Sequence, residues 1–423
     1  MILIWPLFAV LLALGVPIWL VMGTTAMTAM LAEGQSLLPM AQKIVDELNS
    51  TTLLAVPYFV AAAVFMERGN VARALIGAAE AWVGDIPGGL GLVCVVCCTI
   101  FAAMCGSSVA TAMAMGTVLV PAMLRAGYER HFAAGIVAAS GTLGILIPPS
   151  LAFVVYGVLA DEAITRLFLA GLVPGLLQAA AIGGWVVYYA RRKGYAREAK
   201  LSSDERWRRS IFALPALSVP VIVLGGLYGG VVTLTECAAL SAVVAIFLSV
   251  FVYKGVRPGE LLRVMAEAVR NAASIMIIIA VALVFGHWVT ESGVTSRIVD
   301  WATEFDLAWW QFLIAVNLLL ILLGMFLEVF SVLLLTMPVL LPLLHPLGID
   351  PVHFGVITTM NMEVGLLTPP VGLNLFVLAG ILGCPLSEVI RGIWPFLVLM
   401  LVLLILVTYI PAISMTLPWL VYG

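Results

Sequence analysis

Small polar residues that could bind an ion occur at a few places in a chain that is otherwise strongly apolar. Residues 106–108 (Gly-Ser-Ser) interrupt the apolar stretch 87–125, and Glu328 interrupts the stretch 308–345. Each stretch exceeds the roughly 20 residues of one membrane crossing, so we predict re-entrant helical hairpins whose tips lie inside the protein. Carbonyls and hydroxyls at such a tip can bind sodium. The alternative is that these small residues only allow close helix packing.

Two double-proline segments provide the second group of candidate residues. The run GTLGILIPPS at 141–150 and the run MEVGLLTPPV at 362–371 lie 221 positions apart and share their glycine and proline positions. Proline removes a backbone donor and breaks a helix, so nearby carbonyls lose their helical partners. A helix that begins after each break would direct its positive dipole end at an anion. A kink with only a packing role is the alternative.

These positions define two candidate sets. The sodium set lies at the first tip and at both breaks and consists of Gly106, Ser107, Ser108, Gly144, Pro148, Gly365, Thr368 and Pro369. The substrate set consists of Thr142, Asn374, Glu328 and Arg297. A carboxylate inside a membrane is costly unless it is paired, so we expect a function for Glu328, and for Asn361 and Glu363 just before the second break.

The composition indicates which kind of protein holds these residues. Of 423 residues, 63% are hydrophobic and 10% are charged, whereas a soluble protein has about a quarter charged residues. We predict an all-α integral membrane protein with nine crossings, at 2–31, 51–66, 131–160, 164–190, 211–229, 232–253, 271–288, 352–382 and 393–411. The sequence lacks the G-x-x-x-x-G-K-[ST] motif of ATPases, and it lacks the interleaved basic and aromatic residues that indicate nucleic-acid binding. The cysteines at 94, 97, 98 and 105 have apolar neighbours and are typical of helix packing.

Charge predicts the orientation of these crossings. Residues 191–209 carry eight Lys or Arg against three acids, which places them in the cytoplasm. Nine crossings then put the N-terminus in the cytoplasm and the C-terminus in the periplasm. With the 221-residue offset, helix 2–31 of the first repeat corresponds to helix 232–253 of the second. Each repeat then has four crossings and one hairpin. The second repeat enters the membrane from the opposite side, so its topology is inverted. The predicted units are repeat 1–190 (hairpin 87–125, broken helix 131–160), a basic loop with a linking helix at 191–230, and repeat 231–423 (hairpin 308–345, broken helix 352–382).

The tip GSSVATA, the run GTLGILIPPS and the run EVGLLTPPVGLN resemble the large membrane subunit of tripartite ATP-independent periplasmic (TRAP) transporters. The resemblance covers essentially the whole chain. It implies sodium-driven, elevator-type uptake of organic anions across the bacterial inner membrane, with sodium as the coupling ion and no other cofactor. It also implies two partners, a separate four-helix membrane subunit of the Q type and a periplasmic substrate-binding protein. The family commonly has Asp where this chain has Glu328.

Three other functions are open at this stage. A stand-alone divalent-anion or arsenite-type transporter would have the same inverted hairpins and breaks. An integral membrane enzyme would need a cluster of catalytic side chains at one depth, which the sequence does not suggest. A scaffold protein would not need paired backbone breaks. The sequence does not identify the transported anion, because a separate binding protein would do much of the selection.

Overall fold

The computed structural model describes residues 4–34, 36–195, 200–293, 297–300, 304 and 307–423. These residues form nineteen α-helices and no strand. The helices of the first half are α1 (Ile4–Ala13), α2 (Ile18–Ala32), α3 (Leu38–Leu48), α4 (Ala55–Arg68), α5 (Val71–Val83), α6 (Gly89–Cys105), α7 (Ser108–Arg125), α8 (Arg130–Leu146), α9 (Leu151–Ala160) and α10 (Ile164–Lys193). Those that follow are α11 (Ser203–Tyr228), α12 (Leu234–Phe247), α13 (Leu261–Glu291), α14 (Trp309–Gly324), α15 (Val329–Leu344), α16 (Pro351–Gly365), α17 (Leu373–Leu382), α18 (Leu386–Tyr409) and α19 (Ala412–Tyr422).

The two halves of the chain repeat one arrangement of helices. The first hairpin is α6–α7 and the first broken helix is α8–α9; the second hairpin is α14–α15 and the second broken helix is α16–α17. α7 begins at Ser108 and α15 at Val329, and α8 begins at Arg130 and α16 at Pro351. Both pairs are 221 positions apart. The fold is therefore an all-α membrane protein with two inverted repeats, as the sequence predicts.

The two broken helices occupy the centre of the protein. Every residue at 132–146 in α8 and at 352–365 in α16 is buried, which is typical of a helix enclosed on all sides. Each broken helix also packs on the other repeat. A Cβ on Gly135 of α8 would overlap the backbone of Gly392 in α18. In the other direction, Tyr156 of α9 donates a hydrogen bond to the Pro351 carbonyl at the start of α16 (2.6 Å).

The start of α8 is anchored to the end of α10 by a polar cluster. Lys193 Nζ lies 2.7 Å from Glu129 Oε1, and the Tyr189 hydroxyl donates to Glu129 Oε2 at 2.8 Å. The hydrogen bond from Lys193 lowers the pKa of Glu129, because it stabilises the carboxylate form. This cluster fixes the turn between the first hairpin and the first broken helix.

Seven helical segments of the described chain are long and apolar enough to cross a membrane. They are α7, α8–α9, α10, α11, α12 with its π-helical extension Leu248–Val252, α13 with the 3-10 turn Pro258–Glu260, and α18. The predicted crossing 352–382 is not among them: α16 and α17 have 15 and 10 residues, and the break between them (366–372) is longer than the break between α8 and α9 (147–150). The predicted crossing 51–66 corresponds to α4, which has 14 residues.

The prediction of one continuous helix over 2–31 is wrong. The chain forms α1 and α2, and residues 14–17 between them are not helical. Gly15 has a φ of +73°, which a residue with a side chain rarely adopts, and Pro17 precedes α2 with a ψ of 135°. The first helix therefore has a corner in its middle, and this corner reaches the second hairpin.

The sequence also did not predict several shorter helical segments. α3 lies within the predicted periplasmic loop 32–50, and α5 joins α4 to the first hairpin. α11 begins at Ser203, so Arg206, Arg208 and Arg209 of the predicted basic loop are helical. The uncharged C-terminal tail forms α19, which packs against α10.

The inverted topology predicts opposite accessibility for two exposed positions. Lys200 lies in the basic segment and Asp300 follows α13, and both side chains are exposed. We expect a membrane-impermeant thiol reagent applied from the periplasm to label Asp300→Cys but not Lys200→Cys. Five native cysteines are buried, so a Cys384→Ser background removes the remaining half-buried thiol. Labelling of both positions from the same side would contradict the inverted repeat.

Candidate ion and substrate site

The tip of the first hairpin packs directly on the first helix break. α6 ends at Gly106, which has a φ of +60°, and Ser107 caps α7 by accepting a hydrogen bond from the Ala110 N–H. A Cβ on Gly106 would lie 3.1 Å from both the Pro149 carbonyl oxygen and the Leu151 nitrogen. The absence of a side chain at residue 106 therefore lets the tip approach the backbone of the break.

A second glycine faces the tip from within the break. A Cβ on Gly144 would lie 2.7 Å from the Ser107 carbonyl oxygen and 2.9 Å from Thr111 Oγ1. Thr111 Oγ1 also donates to the Ser107 carbonyl (2.8 Å). Oxygens of the tip therefore lie against the α-carbon of Gly144. Such a group of neutral oxygens is the donor set that suits a monovalent hard cation.

The two prolines of the first break remove the donors for two carbonyls of α8. The Ile145 carbonyl, opposite Pro149, accepts a hydrogen bond from Ser150 Oγ instead (2.5 Å). The Gly144 carbonyl loses its helical donor because Pro148 has no N–H. Among the carbonyls near the first hairpin, that of Gly144 is therefore the candidate ion ligand in the break.

In the second break, the carbonyls opposite the two prolines accept hydrogen bonds from other backbone N–H groups. The Gly365 carbonyl, opposite Pro369, accepts the Thr368 N–H at 3.0 Å, and the Leu366 carbonyl, opposite Pro370, accepts the Asn374 N–H at 3.3 Å. The Thr368 hydroxyl donates back to the Val364 carbonyl (2.6 Å). Both carbonyls thus have backbone donors in this structure, so the two breaks are not equivalent as ion sites.

The second hairpin contacts its break through backbone on both sides. A Cβ on Gly365 would lie 2.7 Å from the Gly324 α-carbon at the end of α14. The Gly372 N–H donates to the Met325 carbonyl at the tip (3.0 Å). Both contacts involve main-chain atoms, so the tip packs on the break without an intervening side chain.

Asn374 joins the two halves of the site. Its side-chain nitrogen donates to Ser108 Oγ at 2.6 Å, so that the second broken helix contacts the tip of the first hairpin. Asn374 is fully buried, and its Oδ1 has no hydrogen-bond partner among the described residues. A buried acceptor without a donor is costly, and a bound cation would satisfy it.

Glu328 occupies the position in the second hairpin that Ser107 occupies in the first, as the residue before the second arm. Ser331 Oγ donates to its carboxylate at 3.1 Å. Both residues line a cavity of about 780 Å³ between the tip, Val371 of the second break and the corner between α1 and α2. This cavity is the space beside a hairpin tip that could admit a small ligand.

A buried polar cluster lies behind the breaks and contains a residue that sequence reasoning missed. Gln178 of α10 donates to Glu363 Oε2 at 2.6 Å and lies 3.4 Å from Thr142 Oγ1. Thr142 and Glu363 hold equivalent positions in the two repeats, and all three side chains are fully buried. Gln178 is a single amide side chain in an apolar helix, and this feature of the sequence could have identified it as a candidate functional residue. Its partners lie far away in sequence and could not be inferred.

A second polar network supports the first arm of the second hairpin. Asn361 donates to Asn317 Oδ1 of α14 at 2.7 Å, and Asn317 donates to Thr408 Oγ1 of α18 at 3.2 Å. Asn361 is fully buried. This network ties α14 and α16 together, about two helical turns from Gly324 along α14 and about one turn from Gly365 along α16.

The structure brings most of the predicted residues together. Gly106, Ser107, Ser108, Gly144 and Asn374 meet at the first junction, and Gly365 and Glu328 lie at the second. Pro148, Thr368 and Pro369 lie within the breaks, without a described contact to a tip. Thr142 lies in the cluster with Gln178, and its hydroxyl donates a hydrogen bond to the Ala139 carbonyl. Arg297 is exposed after the end of α13, and among the described residues it has no contact with a tip or a break.

These features define an α-helical membrane transport protein, with paired hairpins and breaks at the centre of an inverted repeat. The family model "Tripartite ATP-independent periplasmic transporter, DctM component" matches residues 6–413. The chain belongs to this family, and its relatives are transporter permeases rather than enzymes.

Similar proteins cover the chain almost completely. It is 43% identical to the C4-dicarboxylate TRAP transporter large permease protein DctM of Pseudomonas aeruginosa, over 93% of each chain. It is 40% identical to the protein of the same name from Rhodobacter capsulatus, over 97% of this chain and 98% of that one. The isethionate TRAP transporter permease protein DctMQ of Oleidesulfovibrio alaskensis is 38% identical, over 96% of this chain and 65% of the longer relative.

Among solved structures, the YdaH transporter of Alcanivorax borkumensis has a similar fold. The TM-score is 0.63 at 14% identity, over 90% of this chain and 91% of that one. At this identity the likeness concerns the fold alone. It supports the fold described above, and the topology of that transporter was described as unusual.

Proposed function

We propose that this chain is the transport subunit of a sodium-coupled system that takes up a small organic anion across the bacterial inner membrane. The observation that carries the proposal is the pair of junctions, each a hairpin tip packed on a proline break, linked by the hydrogen bond between Asn374 and Ser108. Unpaired acceptors and neutral oxygens at the first junction support a monovalent cation there.

The cavity at the second tip supports coupling between the ion and an anion. Glu328 lines this cavity, and a substrate carboxylate beside it would be repelled in a medium of low dielectric constant. A cation at the first junction, which contacts the second broken helix through Asn374, would offset that repulsion, so the anion would bind well only when the ion is present. This linkage is what a symporter requires.

The names of the relatives support the substrate class that we propose. The two relatives at 43% and 40% identity are named for C4-dicarboxylates, and others are named for isethionate and sialic acid. All of these compounds are small organic anions. A C4-dicarboxylate is therefore the first substrate to test.

We further propose that the hairpins and broken helices move together as the mobile domain of an elevator. Main-chain contacts between Gly324 and Gly365, and between Met325 and Gly372, support this, because a tip bound in this way moves with its break. The outer helices, including α2 and α13, would form the static scaffold. With the predicted orientation, the N-terminus is cytoplasmic and the C-terminus periplasmic.

Partner dependence tests the proposed system. We expect proteoliposomes that contain this chain alone to take up little labelled C4-dicarboxylate. Addition of the four-helix membrane subunit and the periplasmic binding protein is expected to restore uptake. Robust uptake of free substrate by the chain alone would support the stand-alone divalent-anion or arsenite-type transporter, which membership of the DctM family does not favour.

A further inference from the structure

A cavity of about 540 Å³ lies between α5 and α11, apart from the hairpins and the breaks. Arg73 lines it from α5, Arg208 and Arg209 line it from α11, and Glu205 is the one acidic residue among its described lining residues. Three guanidinium groups therefore face one lining carboxylate, and because Glu80 also pairs with Arg209 from outside the lining, one positive charge remains in excess. This excess of positive charge favours an anionic ligand.

The ion pairs described at the cavity do not include Arg73, so its guanidinium group can bind a ligand. Glu205 lies 2.7 Å from Arg208 and 2.9 Å from Arg209, and Arg209 also lies 3.3 Å from Glu80. The acidic partners are thus engaged by the two arginines of α11. Arg73 is exposed and lines the opposite wall of the cavity.

The same cavity lies where α11 changes from charged to apolar. Ile211 and Phe212 follow the arginines after Ser210, and these two side chains are 54% and 55% exposed. Trp82 of α5, also 55% exposed, donates to Ser210 Oγ at 2.9 Å. Exposed aromatic residues beside arginines are typical of the membrane–water interface, where lipid headgroups lie.

We propose that this cavity binds the headgroup of an anionic phospholipid. The phosphate group would accept hydrogen bonds from Arg73 and Arg208, because a guanidinium group matches phosphate geometry. The acyl chains would run along the exposed faces of Ile211 and Phe212. Basic pockets between membrane helices bind such headgroups in this way.

Native mass spectrometry of the full chain, purified in detergent, tests this site with phosphatidylglycerol as the probe. We expect the wild type to retain phosphatidylglycerol in preference to phosphatidylcholine. Arg73→Gln should weaken retention about fivefold, and Arg73→Gln combined with Arg208→Gln by about that factor again. Arg73→Gln alone disturbs none of the ion pairs described above, so it separates lipid binding from folding.

Arg192→Gln is the matched control, because Arg192 is an exposed arginine at the end of α10 outside the cavity. We expect it to retain phosphatidylglycerol like the wild type. Equal losses in Arg73→Gln and Arg192→Gln would overturn the site in favour of general surface attraction. Displacement of the lipid by an equal concentration of inorganic phosphate would also overturn it, because the cavity would then be a site for free phosphate and not for a lipid headgroup.

Discussion

Gly365→Ala is expected to abolish most sodium-driven uptake while the protein still inserts into the membrane. The new methyl group would lie 2.7 Å from the Gly324 α-carbon and 2.8 Å from its carbonyl carbon. These are main-chain atoms, so the second tip must move away from its break. Overpacking of this kind costs about 1–3 kcal/mol, and an ion site that depends on the contact should lose affinity by about 5- to 150-fold. The sodium concentration for half-maximal uptake measures this loss.

Gly380→Ala is the matched control for this change. Gly380 lies in α17, the second half of the same broken helix, and a Cβ there would meet no atom within 4 Å. We expect uptake at the wild-type level, with an unchanged sodium requirement. If Gly365→Ala behaves like Gly380→Ala, the tight contact between tip and break is not needed for transport.

Gln178→Leu is expected to have the second large effect, on both stability and uptake. It removes the donor 2.6 Å from Glu363 and leaves that carboxyl group buried without a partner. A buried polar group that loses its hydrogen-bond partner costs about 1–3 kcal/mol. Thermal unfolding in detergent, followed by uptake in proteoliposomes, measures the loss.

Two variants show whether the carboxyl–carboxamide pair itself is required. Gln178→Glu combined with Glu363→Gln exchanges the two groups and keeps one of each, so we expect it to recover much of the lost stability. Thr142→Val removes only the hydroxyl that lies 3.4 Å from Gln178, and its effect should be small. A Gln178→Leu protein as stable as the wild type would contradict a cross-link between α10 and the second broken helix.

Local sequence signals were sufficient to predict the breaks and hairpins. A double proline removes two helical donors wherever it stands, and the Gly-Ser-Ser tip ends one helix and caps the next through Ser107. The offset of 221 residues then related the two halves without a structure. These features depend on residues close together in the chain, which is why the all-α inverted repeat could be predicted.

The pairing of distant polar residues could not be predicted in the same way. Asn374 and Ser108 are 266 positions apart, and Gln178 and Glu363 are 185 positions apart. A sequence identifies each of them as a costly polar group in a membrane but not its partner. The corner at Gly15 and Pro17 was not predicted for another reason, because prolines within an apolar run are also compatible with one kinked crossing.

Uptake driven by a sodium gradient is the most direct measurement of the central claim, that the junctions of tips and breaks bind the coupling ion. The complete system is reconstituted in proteoliposomes, and an inward sodium gradient is compared with a proton gradient of equal size. We predict that the sodium gradient drives accumulation of the labelled anion and that the proton gradient does not. Accumulation that follows the proton gradient and is indifferent to sodium would contradict the account, and Glu328 would then be the first residue to test for coupling.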